Sequence, residues 1–155
     1  MVVIALLFAL LGFMWGTFLE WALHKYVLHR YATKKKWIFH LAHHRHVIKE
    51  GGKDHEYDEP FFTSIPRLKE AGSMVFMAVI HLPFALISPW LWVGMATFAF
   101  TFWSVHLASH LWPEWGWRWC PWHMEHHMIN ASKNYGIVTP LWDWLFGTLI
   151  TRHRG

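Results

Sequence analysis

The chain has 155 residues, 54% of them apolar and only 15% charged, against roughly 25% charged in a typical soluble domain. Thirteen tryptophans, fourteen histidines, one cysteine and a formal net charge of +4 exclude a disordered chain, a coiled coil, a collagen-like repeat and a disulfide scaffold. They also argue against an ordinary soluble globule, and the placement of the basic residues argues against nucleic acid as their partner.

No Lys, Arg, Asp or Glu occurs from Met1 to Leu19. As a helix this run reaches about 28 Å, close to the ~30 Å hydrocarbon core of a bilayer. It lacks the basic n-region and small-residue cleavage site of a signal peptide, so it is expected to remain as a crossing. Gly12 and Gly16 form a small-xxx-small pair, expected to pack helices closely within a bundle. A second uncharged run extends from Ala71 to Pro113. At about 65 Å it is too long for one crossing, and it divides at Ser88-Pro89 into two. Pro83 should kink the first of these, because it cannot donate to the Val79 carbonyl.

The fourteen Lys and Arg fall into two stretches, ten from Lys25 to Lys69 and four from Arg118 to Arg154. With three crossings both stretches share one face, which the positive-inside rule makes cytoplasmic, with the N-terminus outside. Gly51 to Pro66 reads as a loop. Seven tryptophans follow the last crossing, and Trp112 to Ile150 reads as short helices and turns at the inner interface. The predicted fold is an all-α integral membrane bundle. It has about three transmembrane helices and cytosolic interfacial helices carrying histidine clusters, in a single domain over residues 1–155.

Ten histidines form four clusters on the predicted cytoplasmic side: His24 with His29, His40/His43/His44, His106 with His110, and His123/His126/His127. On a helix, positions i, i+3 and i+4 lie within an arc of about 100°, so each His-x-x-His-His should present three imidazoles to one point. His24 and His29 fit less well, about 140° apart. Either the helix ends between them or they approach from different sides. Imidazole suits zinc, iron, copper and nickel, and ten nitrogens suit two ions of about five each. His46, His55, His81 and His153 are expected to lie outside the site. A metal transporter is the non-enzymatic competitor, but only His81 lies at mid-depth. The metalloprotease, P-loop, dinucleotide and Glu-x-x-His motifs are absent.

With Glu20-Trp-Ala-Leu-His24, the four histidine boxes, Asn134-Tyr135-Gly136 and Pro140-Leu-Trp-Asp143-Trp-Leu-Phe-Gly-Thr148, the chain resembles the fatty acid hydroxylase/sterol desaturase superfamily, and its tail resembles the fatty acid hydroxylase branch. The resemblance implies an integral membrane oxygenase with two irons held by the ten clustered histidines. It would use O₂ to hydroxylate a membrane lipid such as a fatty acyl chain. Electrons would come from an external donor, a ferredoxin or a cytochrome with its reductase. A desaturase, a sterol or carotenoid oxidase, and a non-catalytic metal-binding or transport protein remain as alternatives. All-histidine ligation calls for nearby carboxylates to orient imidazoles and offset charge, and Glu20 and Asp143 are the candidates, ahead of Glu125. Zinc is the expected substitute in purified protein, since it binds such nitrogen sites more tightly than ferrous iron. The expected location is a bacterial inner membrane, or the endoplasmic reticulum of a eukaryote, with a homo-oligomer left open.

Overall fold

The computed structural model describes residues 1–31 and 40–151. The first helix, α1, runs over Val2–Ala22 and continues without a break into π-helical turns over Leu23–Tyr31. Then come α2 (His40–Lys49), a 3₁₀ turn at His55–Tyr57, α3 (Ile65–Ile80) and the single turn α4 (Phe84–Ile87). The remainder is α5 (Pro89–Leu111), α6 (Pro113–Trp119), α7 (Pro121–Met128) and α8 (Leu141–Leu145). No strand occurs among the described residues. Three helical stretches, Val2–Arg30, Ile65–Ile87 and Pro89–Leu111, are long and apolar enough to cross a membrane. The chain is a helical membrane protein, as its composition predicts.

Helix starts follow local chemistry. Pro66, Pro89, Pro113 and Pro121 each sit in a first turn, where a missing N–H costs nothing. Ser64 caps α3 by accepting from the Arg67 amide at 3.5 Å. This cap starts the second crossing earlier than the uncharged run does, so Arg67, Lys69 and Glu70 occupy its first turns. Pro83 does more than kink the helix. The helix stops at Ile80, the Val79 carbonyl accepts from Leu82 at 3.0 Å, and the chain turns before α4.

α1 and α5 touch backbone to backbone. A Cβ added at Gly12 would lie 2.0 Å from the Leu91 carbonyl oxygen, and one at Gly94 would lie 1.9 Å from that of Ala9. The glycine pair thus packs helices inside the bundle, as its spacing suggests. Met95, Phe98 and Ala99 on α5 form the buried core, with Phe13, Met74, Met77, Phe102 and Val138 around them. The outer faces stay apolar and exposed, as at Leu6, Leu7 and Leu10 on α1 and Val75, Phe76 and Val79 on α3. This is the surface that lipid requires. His81, just past the end of α3, accepts from Trp15 Nε1 at 3.1 Å and donates through Nδ1 to the Met77 carbonyl at 2.7 Å. The tail returns to α1, where Trp142 Nε1 donates to Thr17 Oγ1 at 3.0 Å and Phe146 stacks on Trp21.

Candidate metal centre

The structure brings the ten clustered histidines together as two groups. His24, His29, His40, His44 and His126 form the first, and His43, His106, His110 and His127 form the second. His123 joins the second, its Nε2 3.0 Å from His110 Nε2. The first group thus holds five imidazoles, and the second holds four with His123 adjoining them through His110. The boxes do not each aim three rings at one point, as their spacing suggested. His40 and His44 enter the first group while His43 enters the second, and His123 and His127 enter the second while His126 enters the first. Residues four apart differ by about 40° on a helix, whereas the third ring diverges from its i+1 neighbour by about 100°. Each box is therefore split between the groups, in mirrored proportion.

His24 and His29 meet through neither of the two routes their spacing left open. The helix does not end between them, and they do not approach from different sides. The π-helical turns bond i to i+5, which brings residues five apart onto one face. Their Nε2 atoms lie 3.2 Å apart.

Hydrogen bonding does not account for the first group. His24 Nδ1 donates to the Tyr135 carbonyl at 2.6 Å, and His126 Nδ1 donates to that of Lys133 at 2.5 Å. In the neutral ring each Nε2 then carries only a lone pair. His29 Nε2 nevertheless lies 3.2, 2.9 and 3.0 Å from the Nε2 atoms of His24, His40 and His126. One N–H serves one of these contacts at most. A shared cation serves all of them, since two nitrogens each about 2.1 Å from one ion lie about 3.0 Å apart at a right angle. In the second group, His43 Nε2, His123 Nδ1 and both nitrogens of His127 are buried without a partner. Burial holds His40, His43, His123, His126 and His127 well below the usual imidazole range and pushes His44 down to about 3. These rings are neutral at pH 7, the form that binds metal. The donor set fits two ions.

The carboxylates that touch imidazoles are not the two expected ones. His43 Nδ1 donates to Asp54 Oδ2 at 2.8 Å, and His106 Nδ1 donates to Glu70 Oε1. Tyr57 OH in turn donates to Glu70 Oε2 at 3.1 Å, and His110 Nδ1 donates to the Gly52 carbonyl at 3.0 Å. Glu20 and Asp143 stand one bond further back. Glu20 Oε1 accepts from the Ile137 amide. Asp143 accepts from the Tyr135 and Gly136 amides at 2.9 and 2.7 Å, from Trp21 Nε1 at 3.2 Å and from Thr148 Oγ1 at 2.6 Å. Both grip the loop whose Tyr135 carbonyl orients His24. Glu125 Oε2 accepts from Asn134 Nδ2 at 3.0 Å, in the same loop. Asn134 adopts φ 55°, a left-handed conformation that asparagine tolerates better than most residues.

The remaining histidines stand apart from both groups. His55 pairs with Asp58 at 2.8 Å in an exposed loop, and His81 lies in the α3–α4 turn. His46 faces Asp54 at 3.9 Å and Glu56 at 3.5 Å at a partly exposed edge. His153 lies outside the described residues. Cys120 is buried and its thiol is pushed up to about 12, so it offers no thiolate.

A cavity of about 340 Å³ reaches both groups. Its walls are Val27 and Leu28 of the π turns, Met74 and Met77 of α3, and Phe98 and Phe102 of α5. His24 and His40 border it from the first group, and His43, His106, His123 and His127 from the second.

The sequence matches the fatty acid hydroxylase family over residues 9–148. The chain belongs to that family. It is also 28% identical over 158 residues to a dihydroceramide fatty acyl 2-hydroxylase of Arabidopsis thaliana, an alignment that covers 90% of this chain and 58% of the relative. The chain therefore spans less than two thirds of that protein's length. No solved structure matches. The matched span contains all ten clustered histidines together with Glu20, Asp54, Glu70 and Asp143.

Proposed function

We propose that this chain is an O₂-dependent di-iron hydroxylase acting on the acyl chain of a membrane lipid. The observation that carries the reading is the convergence of ten imidazoles, as a group of five and a group of four with His123 adjoining, beside an apolar cavity that six of them line. Two irons held there would supply O₂ activation and the oxidation of an unactivated C–H bond. The ten histidines hold and orient the ions, and all ten are ligands in this reading. Phe98, Phe102, Met74 and Met77 exclude water and seat an apolar chain, which leaves lipid for a wall of similar polarity. The hydroxylase relative supports an acyl substrate, since its name specifies a fatty acyl 2-hydroxylase. Electrons come from a separate donor, a ferredoxin or a cytochrome with its reductase. The site faces the cytoplasm in this reading.

The test is direct. The metal is stripped, the protein is reloaded anaerobically with ferrous iron, and a reductase system and a lipid extract are supplied. Mass spectrometry should then show O₂-dependent gain of one oxygen on an acyl chain. The zinc-loaded protein should give none, since zinc is redox-inert. Loss of two hydrogens instead would make the chain a desaturase. Absence of any oxidised lipid from folded, iron-loaded protein would remove the oxygenase reading.

A further inference from the structure

We propose that Asp54 and Glu70 make the two metal sites unequal, so that the group of His43, His106, His110, His123 and His127 is the tighter site and fills first. The inference rests on the reading of both groups as metal sites.

The asymmetry lies in what stands behind each ring. In the second group two imidazoles donate to carboxylates, His43 to Asp54 and His106 to Glu70. Both carboxylates are themselves held in place. Asp54 is 1% exposed and its other oxygen accepts from the Glu56 amide at 3.0 Å. Glu70 is 5% exposed and its other oxygen accepts from Tyr57 OH at 3.1 Å. In the first group His24 and His126 donate to the backbone carbonyls of Tyr135 and Lys133. Among the described residues no carboxylate hydrogen-bonds an imidazole of that group, and the residues outside them contain no Asp or Glu.

A negatively charged acceptor draws the Nδ1 proton toward itself and makes Nε2 a stronger donor to a cation than a neutral carbonyl does. It also places negative charge near the ion. Neutral imidazoles supply none, so two carboxylates in direct contact with one group, against Glu20 and Asp143 standing one bond further back from the other, separate the affinities. Removal of one such outer partner typically costs 10–100-fold in metal affinity. Asp54 and Glu70 are positioning residues here, acting through His43 and His106. Each His-x-x-His-His box is shared between the two groups, and its spacing carries no hint of this difference.

The experiment uses the full chain in detergent, stripped of metal and titrated with Co²⁺. Calorimetry and the visible absorption of cobalt report binding, with no activity assay. The wild type should bind two equivalents in separable steps. Crystals prepared with one equivalent should place the stronger anomalous peak among His43, His106, His110, His123 and His127. Asp54→Asn and Glu70→Gln keep the side-chain shape and remove the charge. Each should weaken the first equivalent by about 10–100-fold and leave the second within a few-fold. An unchanged second equivalent also reports an intact fold, because α2 and α7 contribute to both groups. Equal peaks, a stronger peak in the other group, or variants that weaken both equivalents alike would overturn the inference. No bound cobalt at all in the wild type would instead overturn the reading of the site as a metal centre.

Discussion

Asp143 is fully buried and accepts hydrogen bonds from Tyr135, Gly136, Trp21 and Thr148, yet it touches no imidazole. Its alanine variant would strand the Tyr135 and Gly136 amides and the Thr148 hydroxyl, each costing about 1–3 kcal/mol when buried unpaired, and leave Trp21 Nε1 only its 3.3 Å bond to Thr148 Oγ1. Asp143→Ala should therefore lower stability by at least about 3 kcal/mol, read as a fall in melting temperature in detergent. The loop that holds His24 through Tyr135 should loosen with it, so metal content should fall too. His46→Ala should change neither quantity. Single residues were legible in the sequence where chemistry repeats. Ten histidines in boxes announce themselves, and Glu20 and Asp143 stand near them in the chain. Asp54 and Glu70 do not. Asp54 lies in an acidic stretch that reads as a loop, and Glu70 is 36 residues from its partner His106. One signal was available for Glu70. A carboxylate at the edge of an uncharged membrane run needs a partner at that depth, and a histidine is the nearest chemistry on offer.

At the scale of the element, charge-free runs located the three crossings because lipid tolerates little else. The ends were less legible. Ser64 and Pro66 start α3 ahead of the uncharged run, and Pro83 turns an expected kink into a break. The π-helical turns at Leu23–Tyr31 were hidden because periodicity arguments assume 3.6 residues per turn, and only the awkward five-residue spacing of His24 and His29 hinted at another winding. The split of each His-x-x-His-His box was likewise hidden, since an arc of about 100° is wide enough to serve one ion or to straddle two. The α1–α5 contact makes a sharp prediction. Gly94→Val places a Cβ 1.9 Å from the Ala9 carbonyl oxygen and must push the helices apart. It should cost about 1–3 kcal/mol, measured by thermal unfolding in detergent. Gly72→Ala is the control. Nothing lies within 4 Å of the added carbon, and the loss of helical glycine makes the change neutral or slightly stabilising.

For the whole molecule, the expected orientation follows from the two basic stretches and places residues 40–70 and the C-terminal tail on the cytoplasmic face. A cysteine introduced at Lys53 should react with an impermeant thiol reagent only from the cytoplasmic side, and one at Trp90 only from the opposite side. Cys120 should stay silent in both cases, since it is buried and its thiol is pushed up to about 12. Labelling at position 53 from outside alone would invert the topology and move the histidine groups to the other face. The overall arrangement was the most legible level of all, because a membrane removes nearly every alternative to packed helices. What joins the helices was not, since contacts such as Trp142 to Thr17 link residues 125 apart and leave no local pattern.

The glycine contacts between α1 and α5 bear on how the cavity admits a chain. With carbonyl oxygens already filling the seam at Gly12 and Gly94, and Phe98 packed against Gly16 and Phe13, that pair has little room to rearrange. Two of the cavity's three walls belong to it and its π-helical extension. The third is α3, which buries only Glu70 along its length and gives way to a turn at His81–Pro83 before α4. Any widening of the cavity therefore falls to α3, whose early turns are tied through Glu70 to His106 and Tyr57 and whose far end is tied to α1 through His81 and Trp15, which leaves its middle, at Met74 and Met77, as the part free to give.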